Sequence, residues 1–207
     1  MSLFHKTLIL GIFLFVIFDS KSIAQQSDSL QADTLIQLQP IDENHAQPLR
    51  FEQDEKYGYK DAKGTVIIEA VYDKASPFAD GLARVGIDGK FGFIDHTGAT
   101  VVPLMYQRVL PFHEGVAVVQ LDGAFGLINR EGGIILRPIF DQVASASEGR
   151  VLVKHQGKAG FFDLKGTNVI PLQYSDAWPF VMGKARVQQQ SGWIYIDKEG
   201  NCIADCE

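Results

Sequence analysis

The chain has 207 residues, 46% of them hydrophobic, and a formal net charge of −6. That apolar share can bury a sizeable core, which excludes global disorder. The acidic balance and the absence of long Lys or Arg runs argue against nucleic acid as a partner, because phosphate contacts need a clustered basic patch.

At the start of the chain, Lys6 precedes an apolar run from Thr7 to Phe18, and Ser22-Ile23-Ala24 follows as a small-x-small site. The arrangement predicts a signal peptide over 1-24, cleaved after Ala24, and an exported protein of the periplasm, cell envelope or extracellular space. Asp19 stops the run short of the ~20 apolar residues a membrane span needs, so no span is expected in the mature chain. Residues 25-48 turn to Gln, Asp and Ser, with Leu30, Leu35, Ile36 and Leu38 scattered among them. So little apolar surface does not offset the entropy of ordering, and the segment reads as a flexible polar linker.

From Leu49 onward one motif keeps returning. Lys90-Phe91-Gly92-Phe93-Ile94-Asp95-His96-Thr97-Gly98 has counterparts starting at Lys56, Ala124, Lys158 and Gly192, 34 residues apart each time and without insertion. A fixed period of this length defines a repeat architecture, here residues 49-207. Each unit opens on a strand with apolar residues at alternate positions, such as Ala83, Val85 and Ile87, or Ala117, Val119 and Leu121. Period-two alternation marks a half-buried strand. Asp88-Gly89 and Asp122-Gly123 predict type I′ hairpin turns into the second strand, which is the motif itself. That strand ends in a turn opened by Asp61, Asp95, Asn129, Asp163 or Asp197, whose short side chains bond the backbone ahead. The third strand is short and β-branched, and Pro103 and Pro171 are expected to end it because proline cannot donate to a ladder. An aromatic follows (Tyr72, Tyr106, Phe140, Tyr174), then a loop carrying Pro-Phe in most copies. So many Gly and Pro residues exclude a helical repeat of the same period.

The series Lys-aromatic-Gly-aromatic-Ile-Asp-x-x-Gly, an apolar strand, a Tyr, then Pro-Phe-x-x-Gly-x-Ala-x-Val resembles the WG repeat, also called the KWG repeat, of bacterial proteins. The resemblance covers five units from Leu49 to about Gly200, with Tyr57, Phe91, Phe125, Ala159 and Trp193 at the name-giving position. It implies a β-rich interaction or envelope-associated module and carries no catalytic residues with it.

The residues lead to an all-β fold of tandem three-stranded meander repeats, roughly 49-72, 82-106, 116-140, 150-174 and 184-206. One meander cannot bury a face alone, so the units must stack, as an open β-solenoid or superhelical array or, alternatively, a closed propeller-like ring. Tyr57, Phe91, Phe125 and Trp193 are expected to pack on the neighbouring unit, with Gly58, Gly92, Gly126 and Gly160 leaving room for its approach.

The sequence assigns no catalytic, cofactor-binding or metal-ligating residue. The recurring Asp side chains share one turn position where Asn129 substitutes for them, so turn formation accounts for them. His96, His113 and His155 occupy three different positions of the unit. Cys202 and Cys206 suit a disulfide in an exported protein, but on an extended strand four residues hold their Cα atoms about 13 Å apart, beyond the ~7 Å limit. A bridge therefore requires a frayed or turned end. A metal site from Cys202, Asp205 and Cys206 lacks the usual spacing.

A candidate partner surface comes from the other face of the first strand. Arg50, Arg84 and Arg186 share one register position, interrupted by Val118 and Leu152, while Gln120, Lys154 and Gln188 share the next. An apolar centre with a polar rim suits a protein contact. The expected function is an exported, non-enzymatic binding or scaffold module that presents a repeat surface to an unknown protein or envelope polymer. The alternatives are an envelope hydrolase with loop acids such as Glu114 and Glu148, and a carbohydrate-binding repeat module.

Overall fold

The structure, a computed structural model, describes residues 47–206, so the signal peptide and nearly all of the linker expected above lie outside the described residues. Five antiparallel sheets follow one another along the chain. The first holds β1 (Leu49–Gln53), β2 (Lys56–Lys60) and β3 (Val66–Tyr72). The second holds β4 (Lys74–Ala75), β5 (Leu82–Ile87), β6 (Lys90–Asp95) and β7 (Thr100–Tyr106). The third holds β8 (Arg108–Val109), β9 (Val116–Leu121), β10 (Ala124–Asn129) and β11 (Ile134–Phe140). The fourth holds β12 (Gln142–Val143), β13 (Arg150–His155), β14 (Lys158–Asp163) and β15 (Asn168–Tyr174). The fifth holds β16 (Asp176–Ala177), β17 (Ala185–Gln189), β18 (Gly192–Ile196) and β19 (Cys202–Ala204). No helix among the described residues is long and apolar enough to cross a membrane.

The all-β tandem architecture is the one expected, with one addition. Four of the sheets have four strands, because the chain after each third strand pairs briefly with the strand to come. Lys74 and Ala75 sit opposite Gly86 and Val85, and the N–H groups of Asp73 and Ser76 donate to the carbonyls of Gly86 and Arg84. A two-residue strand has no period to read, so this stretch passes for loop in the sequence.

The third strand also runs past its proline. Phe91 faces Tyr106 and Phe93 faces Val102, so β7 uses four residues where β6 uses two. Pro103 lies inside this bulge on an edge strand, where a missing N–H costs no ladder bond. The bulge also explains the motif glycine. A Cβ on Gly58 would lie 2.5 Å from the Ile68 oxygen, one on Gly126 2.6 Å from that of Leu136, and one on Gly160 2.6 Å from that of Ile170. The room is needed by the bulged strand of the same sheet, not by the neighbouring unit as expected.

The core lies between consecutive sheets. Tyr59, Ile68 and Tyr72 of the first meet Phe78, Ala83, Val85 and Ile94 of the second, and the same register positions meet at each later junction. Tilted or edge-on ring pairs recur there, Tyr59–Phe78 at 4.7 Å, Phe93–Phe112 at 4.7 Å and Phe161–Phe180 at 4.8 Å. The inner sheets are therefore apolar on both faces. Among the described residues the outer faces of the two end sheets stay uncovered, with Leu49 54% and Trp178 61% exposed, which makes the array open and not a ring.

At the C-terminal end the turned arrangement holds. β19 stops at Ala204, Asp205 takes φ 58°, and Cys202 and Cys206 are joined in a disulfide with Cα atoms 5.9 Å apart.

Candidate functional site

The row of first-strand residues proposed as an outward surface is instead the face each unit turns to the next. Arg50 Nη1 donates to the Ala75 carbonyl of the second unit at 2.7 Å, and its guanidinium lies 5.0 Å from the Tyr57 ring centre. Arg84 repeats the contact one unit on, donating to the Val109 carbonyl at 3.1 Å over Phe91. Val118 and Leu152, expected at the exposed centre of the stripe, are 3% and 8% exposed and sit in the cores between the third and fourth and the fourth and fifth units. Their outward placement is thus corrected. Alternation predicts two faces, but stacking covers both. Gln120 bonds the Gly123 carbonyl of its own hairpin, and Lys154 pairs with Asp176 of the fifth unit at 2.5 Å.

Only the last members of the row, Arg186 and Gln188, belong to a face with no unit beyond it among the described residues. Arg186 stacks 4.9 Å over Trp193, and Lys184 lies 5.3 Å over the Tyr195 ring. Beside them Trp178, Val181 and Met182 are 61%, 62% and 88% exposed. Trp178, Pro179, Val181 and Met182, with Lys184, Arg186 and Tyr195, line a shallow concavity of about 260 Å³. That is below the usual size of an enclosed small-molecule pocket and suits one inserted side chain.

A second feature escaped the sequence reading. The residue before the loop glycine is Asp80, Glu114, Glu148 and finally Met182. Glu114 accepts from the N–H groups of Glu148 and Gly149 in the next unit, both at 2.8 Å. Glu148 accepts from the Gly183 N–H at 2.9 Å and meets Lys198 at 3.2 Å. The Gly183 bond, with Lys198 beside it, holds the Glu148 carboxyl below the usual range. Asp80, shorter by one methylene, instead contacts Arg130 of the third unit. These carboxylates clamp successive loops, and the change to Met182 is the signal in the sequence that the series of clamps ends.

The acids considered for hydrolysis, Glu114 and Glu148, are therefore already engaged with backbone N–H groups. Among the described residues no group of three or more His, Cys, Asp or Glu side chains could hold a metal ion.

Stacked sheets joined by one repeated interface, with one face of the first sheet and the opposite face of the last left open among the described residues, define a tandem β-repeat protein. Residues 57–91, 91–123, 125–158 and 160–193 match the family described as WG containing repeat, and the chain belongs to that family. No curated protein matches it. Among solved structures, it is similar to Kluyvelomyces marxianus Hsv2, with 12% identity over 78% of this chain and 61% of that one and a TM-score of 0.41. It is also similar to the extracellular domain of BT4673 from B. thetaiotaomicron, with 14% identity over 79% of this chain and 28% of that one and a TM-score of 0.38. The chain thus spans under two thirds of the first and under a third of the second.

Proposed function

We propose that this chain is an exported, non-enzymatic binding module whose partner seats on the open face of the fifth unit. The observation that carries the reading is Met182. It is 88% exposed at a positive-φ turn position where the three preceding units place a carboxylate that holds the next unit. Val181 and Trp178 extend the same exposed apolar surface, and Lys184 and Arg186 form its charged border. Apolar area rimmed by charge is the composition of a contact with another macromolecule.

The carbohydrate alternative has less support, because cations already lie over the rings of Trp193 and Tyr195 and leave Trp178 as the exposed ring. The hydrolase alternative has less support, because Glu114 and Glu148, the acids considered for it, already accept from backbone N–H groups of the next unit. The test is capture of a reproducible partner from an envelope extract by the wild-type chain and by the Val181→Ser/Met182→Glu variant. Glu148 already occupies the equivalent turn, so the variant should fold normally by circular dichroism while losing the partner. Equal capture by both proteins would move the binding surface elsewhere, and hydrolysis of envelope glycan or peptide by the purified chain would overturn the non-enzymatic reading.

A further inference from the structure

The open face of the fifth unit copies the face of the first. Arg186, Trp193 and Tyr195 stand at the register positions of Arg50, Tyr57 and Tyr59. In the first unit those side chains have an occupant, the short strand and Pro-Phe loop that begin the second unit. Arg50 Nη1 donates to the Ala75 carbonyl at 2.7 Å, and Tyr59 Oη donates to the Ser76 carbonyl at 2.7 Å. The Phe78 ring packs edge-on to Tyr59 with centroids 4.7 Å apart. One extended segment, Asp73 to Asp80, thus satisfies two side-chain donors through its backbone carbonyls and inserts one ring.

The fifth unit presents the same donors and an empty place for the ring. Tyr195 lines the concavity with Trp178, Pro179, Val181 and Met182 around it. Lys184 lies over Tyr195, but its long flexible side chain can swing aside for an incoming ring. Resting on the reading that this face binds a partner, we infer the partner's chemistry: an extended polypeptide segment with two consecutive exposed backbone carbonyls, then a proline and an aromatic residue, as in Ala75-Ser76-Pro77-Phe78. Backbone carbonyls supply the acceptors, so the segment is read by its extended shape, and the ring sets its register.

A second copy of this chain fits less well. Lys60 of its first unit stands where Ile94, Ile128, Phe162 and Ile196 face the preceding unit. Head-to-tail stacking would bring that ammonium against Lys184 and Arg186, and like charges in a contact oppose it.

The test uses the whole chain with Trp193→Phe, which leaves Trp178 as the single tryptophan reporter and places at that position the residue type already present as Phe91. The probe is a synthetic peptide of residues 73–80, Asp-Lys-Ala-Ser-Pro-Phe-Ala-Asp. Saturable change in Trp178 emission is expected. Replacing the peptide Phe by Ala, or Arg186 by Ala in the protein, should each weaken binding by about tenfold, the scale of one ring pair or one charged hydrogen bond. A scrambled peptide should not bind. No saturable change, or binding indifferent to both the peptide Phe and Arg186, overturns the inference. A doubled mass in sedimentation, abolished by Arg186→Glu, would show a second copy on the face and overturn it as well. If the peptide fails while the Val181→Ser/Met182→Glu variant still loses its envelope partner, the binding module stands and only the partner chemistry is wrong.

Discussion

Asp61, Asp95, Asp163 and Asp197 each point one carboxylate oxygen back into the turn they begin. Oδ1 of Asp61 accepts from the N–H groups of Lys63 at 2.9 Å and Thr65 at 2.8 Å, and Oδ1 of Asp163 accepts from those of Lys165 at 2.9 Å and Thr167 at 2.8 Å. These bonds favour the ionised form. The Thr65 N–H holds Asp61 below its ordinary value, the Thr97 hydroxyl does so for Asp95, the Thr167 N–H for Asp163 and the Asn201 amide for Asp197. With folded values depressed, the unfolded chain binds more protons in the acid range. The contribution is therefore complete above about pH 4 and is lost as pH falls through the folded values. Asn129 shows that an amide keeps the turn, bonding the Gly133 N–H at 2.6 Å. Replacing all four Asp by Asn should leave the neutral-pH urea midpoint nearly unchanged and flatten its fall below about pH 4. An unchanged acid slope would place the effect on Asp73, Glu148 and Asp176, whose carboxyls are also held low.

Within a unit, the three main strands and their turns were legible because each has a local signature: alternation, an Asp-Gly pair, and an Asp-x-x-Gly turn. The short strands β4, β8, β12 and β16 were not, since their partners lie in the strand that follows a loop. The bulge was half visible. Pro103 and Pro171 mark it, but a proline after a β-branched run has the same local signature as a strand end. Val118 and Leu152 were the warning that the supposed wet face is buried, because an exposed ladder has no reason to alternate Arg with aliphatic residues. The bulge makes the motif glycine a steric requirement. A Cβ on Gly126 would meet the Leu136 oxygen at 2.6 Å and the Pro138 nitrogen at 2.9 Å, both backbone atoms that cannot swing away. Gly126→Ala should therefore destabilise by at least ~2 kcal/mol, the scale of overpacking a tight site. A shift in the urea midpoint without a change in slope would measure it, and a neutral result would mean that the bulged strand relaxes freely.

Across the whole molecule, each sheet is stabilised by the sheets it touches, so stability is close to a sum over units and nearest-neighbour interfaces. The middle three units have two interfaces each and the terminal two have one. The open face was not legible in the repeat pattern itself, because Arg186 and Tyr195 keep the residues of a covered face; the departure lies in the loop, at Met182. Unequal neighbours predict unequal local opening. Amide hydrogen exchange should be slowest in β9, β10, β13 and β14, and faster in β1–β2 and β17–β18. The fifth unit is held to the fourth by its core, by Glu148 on the Gly183 N–H and Lys198, and by Arg150 donating to the Lys198 carbonyl at 3.1 Å. Glu148→Ala removes the first polar tie and leaves the core in place. It should raise exchange in β17–β19 selectively and leave β5–β7, two units away, unchanged. Uniform acceleration in all five sheets would mean that the array opens as one cooperative block, and no change in β17–β19 would mean that the clamp orders the loop without stabilising the junction. A partner segment on the open face adds the missing interface, so the 73–80 peptide should slow exchange in β17–β18 of the wild-type chain and leave it unaltered in Arg186→Ala.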